Sequence, residues 1–241
     1  MLYRLLFLTA ALMVLSVTPA LSDPLRIVTL EQVPYGYMED GSPTGLLYDI
    51  GNAIAEEAGL AAENRFVNLE RGIEEIIAGR ADIIIIFPNP RIRAVAKNLG
   101  SILHLETVIL GSAGSDFSSI GDLAGKSVAS LRGAQYDARL SHIESITVLP
   151  IKDYIYGLKM VANKRADAIV GPIYGLEHSM KANGLSRALF GTPLVLHELH
   201  ANVYYSIHGD AERASKVRAA IACLKQDGVV DALLAKYALE H

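Results

Sequence analysis

Few residues of the kinds that do chemistry stand here at a spacing that does it. His197-Glu198-Leu199-His200 places two histidines three apart, whereas a helical zinc site needs them four apart. No G-x-S-x-G nucleophile elbow and no phosphate-cradling glycine loop occurs. The one cysteine, Cys223, falls on the apolar side of a predicted helix and is expected to be a buried small hydrophobe. No disulfide can form within the chain, so stability must come from its core. These residues name no catalytic site, no metal site and no cofactor.

What positions a ligand is better marked. Arg80-Ala81-Asp82-Ile83-Ile84 recurs as Arg165-Ala166-Asp167-Ala168-Ile169, 85 positions later. The same offset pairs Gly72 with Gly157, Ile73 with Leu158 and Ile76 with Val161. Each copy has apolar residues at helical spacing, a short polar turn, then an unbroken apolar run, which is a helix turning into a buried parallel strand. Two copies predict two similar α/β lobes, and clefts between lobes are where small ligands bind.

Along the chain, strands are expected at Leu25–Leu30, Arg65–Asn68, Ile83–Ile86, Thr107–Gly111, Ser127–Leu131, Ile146–Leu149, Ala168–Val170 and Asn202–Ile207. Helices are expected at Leu46–Gly59, Glu70–Ala78, Asp153–Ala162, Tyr174–Ala182, Ala214–Leu224 and Val229–Leu239. Asn89 reads as an N-cap with Pro90 at the first position of a short helix carrying Arg91 and Arg93, and a further helix start is expected at Gly133-Ala134-Gln135.

Residues 1–22 read as a cleaved secretory signal: Arg4, an apolar run from Leu5 to Val17, then the small-residue site Ala20-Leu21-Ser22. That implies export to a periplasm. The formal charge of −4 and the lack of a basic stripe argue against nucleic acid as a partner.

Four segments, in order, give the chain a family resemblance: Asp40-Gly41-Ser42-Pro43-Thr44-Gly45-Leu46-Leu47-Tyr48-Asp49; Gly79-Arg80-Ala81-Asp82; Leu123-Ala124-Gly125-Lys126-Ser127-Val128; and Lys225-Gln226-Asp227-Gly228 before Leu233-Leu234-Ala235-Lys236-Tyr237. Together they resemble the family 3 bacterial solute-binding proteins, over nearly all of the chain after the signal. The resemblance implies an α/β, two-lobed, type II periplasmic-binding-protein-like fold, each lobe a mostly parallel sheet flanked by helices, with two crossover strands. Lobe 1 would comprise residues 23–111 plus 203–241, and lobe 2 residues 112–202. The implied function is capture of a small polar solute, carboxylate-bearing such as an amino acid, by a monomer that hands it to the permease of an ABC-type transporter. The same fold also serves dehydratase-like enzymes and ligand-sensing partners of membrane receptors, which are the alternatives.

The resemblance also implies site residues. An arginine after the Gly-Arg-Ala-Asp strand would grip the carboxylate with its planar two-pronged donor, and this falls on Arg93 or Arg91. An aromatic of the first loop, Tyr35 or Tyr37, would cover the ligand. Arg71 stands in an element shared with some members. Gly133, Ala134 and Gln135 match a loop that holds carboxylate oxygens at a helix start. Pro172 stands where members that bind amino acids carry an ammonium-pairing aspartate, and it has neither an acceptor side chain nor an N–H. Glu31 and Glu177 are the possible substitutes.

Overall fold

The computed structural model describes residues 23–239; the expected signal, residues 1–22, lies outside them. The first half of the chain runs β1 (Leu25–Leu30), a small hairpin of β2 (Tyr37–Glu39) and β3 (Ser42–Thr44), α1 (Leu46–Glu57), β4 (Ala62–Val67), α2 (Leu69–Ile77), β5 (Ile83–Ile86), α3 (Pro90–Arg93) and β6 (Ala96–Gly111). It continues with β7 (Ser127–Leu131), β8 (Thr147–Ile151), α4 (Tyr154–Ala162), β9 (Ala168–Pro172), α5 (Ile173–Ala182), β10 (Leu194–Ser206), α6 (Ala211–Gln226) and α7 (Val229–Leu239). None of the described helices is long and apolar enough to cross a membrane.

Eight strands form one sheet in the order β4-β1-β5-β10-β6-β9-β7-β8. The triplets β4-β1-β5 and β8-β7-β9 are parallel, and antiparallel β10 and β6 join them. The chain thus crosses between two similar halves twice, along β6 and β10.

The repeat is present in three dimensions. In the first half, the Asp82 carboxylate accepts the Arg26 N–H of β1 at 2.8 Å, while the Asp82 N–H donates to the Arg26 carbonyl. In the second half, Asp167 makes the same pair of bonds with Ser127 of β7, its carboxylate accepting at 2.7 Å. Each aspartate therefore ties the start of a repeat strand to its neighbour and sets the register, Ile27 beside Ile83 and Val128 beside Ala168. Asn68 and Asp153, also 85 apart, N-cap α2 and α4 by accepting the N–H three residues on. Gly72 and Gly157 let those helices lie directly on the sheet: a β-carbon would come within 2.8 Å of Ile84 and 2.5 Å of Ile151.

Three expectations are corrected. β6 begins eleven residues before Thr107, and β10 eight before Asn202. Asn98, Gly100, His104 and Glu106 look turn-like or polar, but they lie along a ribbon of which one face is solvated, so polar residues alternate with buried Leu103 and Leu105. No helix starts at Gly133–Gln135: that stretch is a turn, with Gly133 at φ +78°, and only a short 3-10 turn follows at Ala138–His142. Cys223 is exposed. Helix α6 buries Ala214, Val217, Ala220, Ile221 and Leu224, whose three-and-four spacing turns Cys223 to solvent.

Candidate functional site

In βα units each parallel strand ends where its helix begins, so the carboxyl ends of the strands collect the open loops. Here the ends of β1, β4 and β5 face the ends of β7 and β8 across β6 and β10. Between them lies a cavity of about 240 Å³. The first half contributes Leu30–Gln32, Tyr35, Val67–Glu70 and Ile85–Asn89, and the second Leu131, Arg132, Ala134–Tyr136, Ile151, Lys152 and Tyr154. Leu103, Leu105 and Ala201 of the crossing strands also line it.

The halves touch over the cavity. The Asn89 side-chain amide donates to the Gly133 carbonyl at 3.2 Å, while its oxygen accepts the Arg91 N–H and caps α3. Glu70 packs on the same turn: its Cγ is 3.2 Å from where a Gly133 β-carbon would sit.

Three tyrosines line the cavity while almost fully buried. Tyr136 and Tyr154 share a hydroxyl–hydroxyl bond of 2.7 Å, and the Tyr35 hydroxyl has no hydrogen-bond partner. Burial pushes all three phenols above their ordinary range, so they stay protonated at neutral pH. The charged lining residues, Glu31, Glu70, Arg132 and Lys152, are all exposed. Lys152 leans toward Asp153 at 3.6 Å.

Of the residues expected at the site, Tyr35, Ala134, Gln135 and Glu31 line the cavity. Gly133 acts through its carbonyl and its left-handed turn. Arg93 and Arg91 are both exposed and outside the lining, because the short helix α3 turns Ile92 inward. Arg71 is exposed on α2, paired with Glu75 at 2.7 Å and Glu74 at 3.9 Å. Tyr37 belongs to the β2–β3 hairpin, outside the lining. Pro172 is buried at the end of β9, opposite Thr107, and does not reach the cavity. Glu177 is exposed on α5, away from it.

Arg132, Lys152, Gln32, Tyr136 and Tyr154 line the cavity without having been singled out. Their signal was positional: each follows the carboxyl end of a strand, and Lys152 precedes the capping Asp153 that the repeat pairs with Asn68. His197 lies 3.4 Å from Asp137, and His104 3.8 Å from Glu198. Among the described residues no three metal-ligating side chains gather at one point.

Comparison with known proteins agrees with this architecture. The amino-acid-binding protein AabA of Dichelobacter nodosus is 26% identical over 236 residues, covering 90% of this chain and 88% of that protein. The solved substrate binding protein of an amino acid ABC transporter is 21% identical with a TM-score of 0.73, covering 90% and 99%. An ancestral arginine-binding protein bound to arginine is 19% identical with a TM-score of 0.77, again covering 90% and 99%. Those two structures share the expected type II two-lobed fold. The family model for bacterial extracellular solute-binding proteins, family 3, matches residues 25–240. A match over nearly the whole described chain, on a fold with two repeated halves and a cavity between their strand ends, means that this protein belongs to the bacterial extracellular solute-binding proteins of family 3.

Proposed function

We propose that the protein captures a small carboxylate-bearing solute in this cavity and closes over it. The moving units are residues 23–111 with 203–241, and residues 112–202, hinged on β6 and β10. The observation that carries this reading is that both halves line one cavity and meet across it through Asn89 and Gly133. Bending of two crossing strands separates those contacts without unpairing either parallel triplet. The family, and a relative named for amino-acid binding, support the solute capture; in this reading a monomer delivers the solute in the periplasm to the permease of an ABC-type transporter.

Arg132 is the cation best placed for the carboxylate. It lines the cavity and makes no ion pair among the described residues, whereas Lys152 is shared with Asp153. The test is a thermal-shift screen against amino acids, dicarboxylates, cyclic acids and amines. A solute at about 100 times its Kd should stabilise the fold by about 2.7 kcal/mol. Arg132→Ala should weaken a carboxylate hit about tenfold, the worth of one charge-assisted hydrogen bond. Arg91→Ala and Arg93→Ala should leave it unchanged. A hit lost in Arg93→Ala and kept in Arg132→Ala would mean that α3, not the turn after β7, holds the carboxylate.

A further inference from the structure

The chemistry of the cavity is divided by depth. All four charged lining residues, Glu31, Glu70, Arg132 and Lys152, are solvent-exposed, which assigns them to its mouth rather than its floor. Its buried lining is apolar or aromatic, including Leu47, Ile85, Leu103, Leu105, Tyr136 and Tyr154, apart from Gln32 and Asn89. Neither amide carries a charge: Gln32 donates one N–H to the Val33 carbonyl at 3.2 Å, and Asn89 bonds Gly133 and Arg91. The hydroxyls of Tyr136 and Tyr154 bond each other, one donating and the other accepting, and neither is charged.

No buried lining side chain can therefore neutralise a charge. A charged group driven to the floor would lose its hydration with no opposite charge to replace it, and such burial is strongly unfavourable. An apolar group there exchanges water for the leucine, isoleucine and tyrosine surfaces and is favoured by transfer. The mouth has the opposite character, with both signs of charge available to an ionised head.

We infer that the solute enters apolar end first: a small amphiphile with an aromatic or branched aliphatic body on the floor, and its ionised head at the mouth between Glu31, Glu70, Arg132 and Lys152. This rests on the proposed solute capture and names the class of solute captured. Apolar amino acids and their deaminated acids fit. Amino acids with a charged or amide side chain do not, because the side chain would be the buried part.

Titration calorimetry on the purified protein tests the inference. The apolar probes are phenylalanine, leucine and hydrocinnamate, and the polar probes arginine, glutamate and glutamine. The expected result is at least one apolar probe binding at least tenfold tighter than every polar probe, with a negative heat-capacity change that marks apolar burial. A polar probe that binds as tightly as the best apolar one, or apolar binding without the heat-capacity change, overturns the inference and leaves solute capture standing. If neither set binds, both this inference and capture of such solutes fail. Leu105→Gln should selectively weaken the apolar probes at least tenfold; selectivity in the unmodified protein decides the matter if that variant does not fold.

Discussion

Replacing Gly45 with alanine is expected to remove about 4 kcal/mol of stability, lowering the melting temperature by about 10 °C. Two costs add. Gly45 sits at φ +125°, ψ 156°, a region essentially reserved for glycine. A β-carbon would also come within 2.7 Å of the Gly36 Cα, the Gly36 nitrogen and the Tyr35 carbonyl carbon. These are backbone atoms, so no rotamer change relieves the clash. The damage would reach the cavity. The first N–H groups of α1 hold the tyrosine loop, Leu46 donating to the Pro34 carbonyl and Leu47 to that of Tyr35. The Gly45 N–H itself donates to Tyr237, whose hydroxyl also donates to Asp49 at 2.7 Å. Gly41→Ala is the control. Gly41 has φ +79° but nothing within 4 Å of its would-be β-carbon, so only the backbone cost, about 1 kcal/mol, remains. Equal losses in the two variants would contradict the close approach of the α1 entry to the tyrosine loop.

Glu75→Gln is expected to cost about 2 kcal/mol at neutral pH. The Glu75 carboxylate is 2% exposed and receives Arg65 at 2.6 Å, Arg71 at 2.7 Å and Arg80 at 3.1 Å. Its hydrogen bonds to Arg80, with those from Arg65 and the charges of Arg65 and Arg71, outweigh burial and hold its pKa down at about 2. The arginines are about half exposed and rehydrate when the carboxylate is lost, so the cost stays below that of a fully buried pair. The pH dependence follows from the sign of the shift. A carboxyl group with a lower pKa folded than unfolded contributes its full stability above the unfolded value, near 4.3, and loses it progressively as pH falls toward 2. The gap between wild type and Glu75→Gln, from denaturant titrations, should therefore narrow across that window. A gap that stays constant from pH 7 to about 2.5 would show that the arginines do not hold the carboxylate charged. Arg71 belongs to this cluster, which accounts for its absence from the cavity.

Local rules were legible wherever a residue's fate depends on near neighbours in the chain. The offset of 85 between Asp82 and Asp167 carried the two-half plan, because each helix–turn–strand unit is encoded within about twenty residues. Asn89 as an N-cap and the Ile83–Ile86 strand followed from the same local logic and stand in the structure as read. The fold family was legible for a related reason: its four marking segments are turns and helix entries, where backbone geometry restricts residue choice.

The binding surface was another matter. It is assembled from the ends of β1, β4, β5, β7 and β8 and the middle of β6 and β10, which the chain separates by up to 171 residues, from Leu30 to Ala201. Whether Arg93 or Arg132 faces that space depends on a rotation of about 100° per helical residue in α3, and on how a turn follows β7. The full length of β6 and β10 was hidden because a ribbon solvated on one face alternates polar and apolar residues and reads locally as loop. Cys223 became exposed because the face that α6 buries runs through Ala220, Ile221 and Leu224 and leaves it on the other side. Sequence periodicity determined which segments form elements and how they repeat. Tertiary contact alone decided which side chains share the cavity, because residues far apart in the chain become neighbours only when the sheet closes.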